Sequence, residues 1–146
     1  MKRILIIITV IGSGLVLNAQ QYRSVQFVNP EQKLAADYCS PLFQSADGTI
    51  ISVADKFVGS YLNILDWLNG RVAGLQVIRT REHVFIPYIR GSVASLFVDE
   101  MRVEPEFLNS INPNDIALIK IIKGPFVGSP GGNSAIAIYT LRGFED

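Results

Sequence analysis

One cysteine and one histidine are all that 146 residues offer for soft metal binding or neutral-pH base chemistry. Cys39 has no second cysteine to pair with, so no internal disulfide staples the fold. It reads as a small buried residue. His83 would need Cys39 or a serine at a recognisable spacing to build a nucleophile–base pair. No such spacing is present, so His83 reads as structural or solvent-facing and no catalytic residue is assigned. Excess charge is also missing. Thirteen basic residues balance thirteen acidic ones, which excludes the electrostatic footprint of a nucleic-acid binder. Beyond the first segment no apolar run approaches the roughly 20 residues of a membrane-spanning helix. Internal repeats and low-complexity tracts are absent.

What is there begins with an export leader. Lys2 and Arg3 precede the apolar run Ile4 to Val10, Gly12-Ser13-Gly14 loosens it, and Asn18-Ala19-Gln20 closes it. These are the three regions of a signal peptide, with cleavage near Ala19 or Gln20. The competing reading, a membrane anchor, needs a longer run. Removing Lys2 and Arg3 leaves 11 basic against 13 acidic residues. The expected division is 1–20 signal peptide, 21–48 a poorly readable segment, and 49–146 one domain.

Tyr22 to Val28 alternates weakly, as a short strand would. Asn29-Pro30-Glu31-Gln32 carries a cap, a first-turn proline and a residue able to fold back, so a helix is expected to about Cys39, stopping before Pro41. Ser45 to Gly48 reads as a turn, and β-branched Thr49 to Val53 as a strand. Ser60 is the expected cap of a helix whose stripe is Leu62, Leu65 and Leu68. Asn69-Gly70 ends it. Leu75 to Arg79 and His83 to Arg90 form a hairpin, with Pro87 marking an edge or a bulge. Ser95 to Val98 and Met101 to Val103 flank an Asp99-Glu100 turn. A helical turn at Glu104 to Leu108 and a capped turn at Asn112 to Asp115 lead to a central strand, Ile116 to Lys123. The last strand is Ala135 to Leu141, with Ile136 and Ile138 on one face and Ala137 and Tyr139 on the other. Strands and short helices without regular alternation predict an α+β fold with a small mixed or antiparallel sheet.

Two stretches invite a ligand reading. Asp99, Glu100, Glu104 and Glu106 are the densest acidic group, but Glu104 and Glu106 straddle Pro105 and read as a solvated edge rather than a calcium site. The loop Gly128 to Gly132 lacks the following Lys-Ser/Thr and runs into a strand instead of a helix. Its glycines read as suppliers of positive φ and close backbone approach. No metal and no cofactor is expected.

In order, Asn63 to Val77 (N-I-L-D-W-L-N-G-R-V-A-G-L-Q-V), Ile89-Arg90-Gly91, Leu96 to Asp99, Ile111 to Ile116, Ile119 to Pro125, and Val127 to Gly143 resemble successive motifs of TonB-dependent receptor plug domains. The likeness is strongest to those of Bacteroidetes SusC-like receptors and covers roughly residues 60–143. Its motif positions here are Gly70, Arg71, Gly74, Arg90, Gly91, Asp99, Asp115, Lys123, Gly128 and Gly132. Departures are Glu100 where the family turn has Gly, Val127 for Tyr, Pro130 for Arg, and Ser134-Ala135 where a Gly usually precedes the final strand. Thr49 to Val53 also faintly resembles the extended motif by which such receptors contact TonB, at a length that chance readily produces. The chain stops where a receptor would begin its barrel. The resemblance implies an exported, non-catalytic, plug-domain-like chain in the periplasm or at the outer membrane, acting through protein–protein contact. Implied partners are an outer-membrane β-barrel or a TonB-like protein. Alternatives are the plug half or remnant of a split transporter, and a small periplasmic ligand-binding protein.

Overall fold

A computed structural model describes residues 29–54 and 56–142. The leader and the Tyr22 to Val28 alternation lie outside the described residues. Local chemistry sets the first element. The Asn29 side chain accepts from the Glu31 N–H at 3.1 Å, Pro30 fills the first turn, and helix α1 (Pro30–Tyr38) stops at extended Cys39. Gln32 reaches Asn29 through its backbone N–H, 2.9 Å, instead of its side chain. A short helix α2 (Pro41–Ser45) follows, unpredicted from the sequence. Five residues are too few to show a periodicity, and the helix is held by Phe43, which is buried.

Strand β1 (Thr49–Ser52) lies where expected. Helix α3 (Ile64–Leu68) is shorter than its apolar stripe suggested. Ser60 is not its cap. Asn63 is, accepting from the Leu65 N–H at 2.9 Å and donating through Nδ2 to Asn109 at 2.7 Å. A buried amide satisfied at both ends fixes the helix start. Leu62 consequently precedes the helix and is 90% exposed, so it is no part of the inward stripe.

Strands β2 (Leu75–Arg79), β3 (Phe85–Ile89) and β4 (Ser92–Val93) form an antiparallel three-stranded sheet with β3 in the middle. Pro87 therefore lies in a central strand, not at an edge. It is tolerated because β4 ends beside it. Ala94 donates to the Pro87 carbonyl at 2.9 Å, and the return bond from Pro87 has no N–H to make it. His83 precedes β3 instead of belonging to it. It is exposed and left-handed (φ 64°) in the turn between β2 and β3.

Strands β5 (Ser95–Val98), β6 (Met101–Val103), β7 (Ile116–Ile122) and β8 (Ala135–Thr140) join β1 in a second sheet of order β1-β7-β8-β5-β6. Among the described strands only β5 and β8 run parallel, so the fold is α+β with a mixed sheet. Every residue of β7 is buried. Period-two alternation sends Ile119 and Ile121, with Ile136 and Ile138 of β8, toward α3 and the smaller sheet. Leu118, Ile122, Ala137 and Tyr139 face a second core closed by Ala35, Cys39 and Phe43 of the α1–α2 segment. In that core the Phe43 ring meets Phe97 edge-on at 5.3 Å and Phe126 at 4.9 Å.

Candidate functional site

The motif positions separate into two ends of the five-stranded sheet. At one end Arg71, Arg90 and Lys123 line hollows beside β1, and Gly70, Gly74 and Gly91 lie close in sequence to the two arginines. Gly70, Gly74 and Gly91 adopt φ of 75°, 80° and 81°, which only glycine takes without strain. The first two bracket Arg71 and the third follows Arg90. The Arg71 guanidinium lies 5.4 Å from the Tyr61 ring and 4.9 Å from the Trp67 ring. It donates to the Trp67 carbonyl and, at 3.2 Å, to the Tyr61 hydroxyl. Stacking and hydrogen bonds together hold its charge in one place. It overlooks a cleft of about 580 Å³ that runs along β1, with Glu31, Lys56, Trp67 and Lys123 among its walls. A second hollow shares Thr49 and Lys123 with that cleft and adds Arg90 and Asp47.

The other end carries Asp99 and Asp115. Asp99 and Glu100 have φ of 46° and 69°, the two left-handed residues of a tight hairpin turn between β5 and β6. The turn survives the replacement of the usual glycine by Glu100 because side chains anchor it. Asp99 accepts from the Thr140 N–H at 3.0 Å and its hydroxyl at 2.7 Å. Glu100 accepts from the Ser40 N–H at 2.5 Å and the Tyr139 hydroxyl at 3.3 Å. Asp115 takes its part through the backbone, its carbonyl accepting from the Leu141 N–H at 2.7 Å. The cap of that turn is Asn112, bonded to the Asn114 N–H at 3.0 Å.

The glycine loop is structural. A Cβ on Gly128 would meet the Phe126 ring at 2.5 Å, and Gly131 and Gly132 have φ of 71° and 68°. Next to these glycines, the buried hydroxyls of Ser129 and Ser134 have no hydrogen-bond partner among the described residues.

Sequence reasoning missed the most unusual charged group. Lys120 is 3% exposed, in the middle of β7. Its ammonium crosses to the C-terminal end of α2 and donates to the Phe43 carbonyl and, at 3.2 Å, the Gln44 carbonyl. Burial pulls its pKa below the ordinary lysine value. Burial likewise pushes the Cys39 thiol and the Tyr139 phenol upward. A lysine flanked by isoleucines in a strand with no polar face was the available signal. Cys39 is buried under α1, while His83 is exposed beside the other sheet. Among the described residues no three His, Cys, Asp or Glu side chains converge as a metal site would require.

The sequence matches no protein-family model, and no curated protein matches it. Solved structures do match. The chain is similar to part of the RagAB peptide importer in its "closed-closed" state (24% identity, TM-score 0.57, 70% of this chain and 13% of that one). The "open-open" state gives 26% identity and a TM-score of 0.53 over the same shares, and a further RagAB peptide transporter structure gives 25% and 0.56. The fold is thus TonB-dependent-receptor-like, and the chain spans about an eighth of the matched chains (13%). These neighbours are transport proteins, not enzymes. No helix among the described residues is long and apolar enough to cross a membrane.

Proposed function

We propose that this chain is an exported plug-like domain of the TonB-dependent receptor type that acts by binding another protein, at the outer membrane or in the periplasm, and performs no catalysis. The observation that carries this reading is the fold likeness over 70% of the chain, joined to the ordered run of motifs from Asn63 to Gly143. The surface supports it. Phe57, Leu62 and Val127 are 85%, 90% and 92% exposed, and large apolar side chains in water favour contact with a partner. An outer-membrane β-barrel is the partner that the motif order favours, which makes the plug part of a TonB-dependent transporter the second reading.

The test is photo-crosslinking in the producing cell, from a reactive residue placed at Phe57 or Leu62, with fractionation of the envelope. The expected outcome is a chain recovered in the envelope fraction, crosslinked to an outer-membrane or periplasmic protein. A barrel as the crosslinked species selects the second reading. Cytosolic recovery would sink the export claim, and crosslinks to no envelope protein would sink the interaction claim.

A further inference from the structure

The five-stranded sheet stops at β1, and among the described residues no strand lies on its outer side. The register says which backbone groups that leaves. Thr49 and Ile51 pair with Ile121 and Ile119, and the Val53 N–H donates to the Ala117 carbonyl at 2.9 Å. These residues point their polar groups at β7, so alternation turns the N–H and C=O of Ile50 and Ser52 outward. The strand is held from both faces. Ile51 packs on the core under α3 and Ile50 on the core under α1. Such an edge, free among the described residues at the floor of a walled cleft, has the shape of one extended peptide.

The walls specify the peptide's charge. Lys56, Arg71, Arg90 and Lys123 line the two adjoining hollows, against Glu31 and Asp47. The chain's own residues 21–28 carry Arg23 and no carboxylate, so they do not complement this excess. A second copy paired edge to edge would bring cations against cations. We infer that the β1 edge accepts an extended, carboxylate-bearing segment of another protein as an added strand, bonded to Ile50 and Ser52 and flanked by Arg71, Arg90 and Lys123. This inference stands apart from the plug-like reading, whose failure would leave the edge and its charges in place.

Fluorescence anisotropy on the purified chain tests it. The probe is a labelled peptide of alternating valine and threonine with two aspartates at each end. Saturable binding that weakens with added salt is expected. A lysine-ended version, and a version N-methylated along its whole backbone, are both expected to bind about tenfold more weakly or not at all. Ser52→Pro removes an outward donor and leaves the β7 ladder intact, so it should lose binding while its circular dichroism matches the parent chain. Arg90→Glu with Lys123→Glu should weaken the aspartate peptide by about tenfold and favour the lysine one. No binding of the aspartate peptide, equal binding of the N-methylated or lysine peptide, or a dimer that Ser52→Pro dissociates would each overturn the inference.

Discussion

The two faces of the five-stranded sheet are sealed in different ways. The face toward α3 is closed mainly by aliphatic side chains beside Trp67, with Leu65, Leu68, Ile119, Ile121, Ile136 and Ile138 all at or near zero exposure. The face toward α1 and α2 is aromatic and holds ionisable groups, with Lys120, Tyr139 and Cys39 buried beneath the helices. One face depends on apolar area and close packing. The other depends on that and on each polar group keeping its partner, because an unpaired buried donor or acceptor costs as much as a lost contact. The difference predicts where the fold responds to cavities and where it responds to pH.

Cavities should have the largest effect. Ile138→Ala on the aliphatic face is expected to cost about 2–5 kcal/mol, measured by urea denaturation. A cost well below that would mean this face collapses around the gap, against its zero exposure. On the other face Lys120→Met keeps the volume but strips the Phe43 and Gln44 carbonyls of their donor, with an expected loss of about 1–3 kcal/mol. Proteolysis in the α2 segment, faster than in the parent, checks that the loss is local.

The pH dependence of that same pair sharpens the contrast. Burial holds the folded Lys120 pKa below 10.5, so in that window the unfolded chain binds more protons. Stability from this group therefore rises as pH rises from the folded pKa to 10.5. Tyr139 has the opposite sign. Burial raises its phenol above 10.0, the folded chain keeps a proton the unfolded one gives up, and stability falls as pH rises above 10.0. The stability difference between parent and Lys120→Met should grow with pH up to 10.5. A flat difference would show that Lys120 is not desolvated. Ile138→Ala should leave the pH profile unchanged in shape.

Smaller effects come from the loops. Glu100→Gly relieves a left-handed residue, a gain of about 1 kcal/mol. It also strips the Ser40 N–H and the Tyr139 hydroxyl of their acceptor, at a cost of about 1–3 kcal/mol. A net loss of about 1 kcal/mol in thermal denaturation is expected; a stabilised variant would show that turn geometry outweighs the two bonds. Ser134→Ala removes a hydroxyl that has no partner among the described residues, so it should be neutral or stabilise by up to about 1 kcal/mol. A marked loss would reveal a partner for that hydroxyl.

The aliphatic face was the legible one. The apolar run Ile116 to Lys123 and the alternation in Ala135 to Leu141 mark strands buried on both faces, and from Leu118 onward those residues divide between the two cores with a period of two, which a register shift between Ile116 and Leu118 interrupts. The first helix was legible from Asn29 and Pro30 because a cap acts within one turn. The start of α3 was not. The Leu62–Leu65–Leu68 spacing fits a helix from Ser60, while the cap is decided by Asn63 meeting Asn109, 46 residues away. Pro87 was misread because whether a strand is an edge depends on where its neighbour ends. The motif residues of the candidate site were visible one at a time, and nothing in the spacing of Arg71, Arg90 and Lys123 placed them around β1.

By itself the sequence determined the elements whose cause is local: capped α1, the strand periods, the glycines at left-handed turns, and an α+β class. Tertiary structure alone decided the rest. It paired β1 with β7 so that, among the described residues, the outer side of β1 stayed open. It set Lys120 beneath α2, and it drew cations from four separate segments to that edge. Local preferences act over a few bonds, whereas an edge, a buried charge and a cleft exist only once distant segments share space.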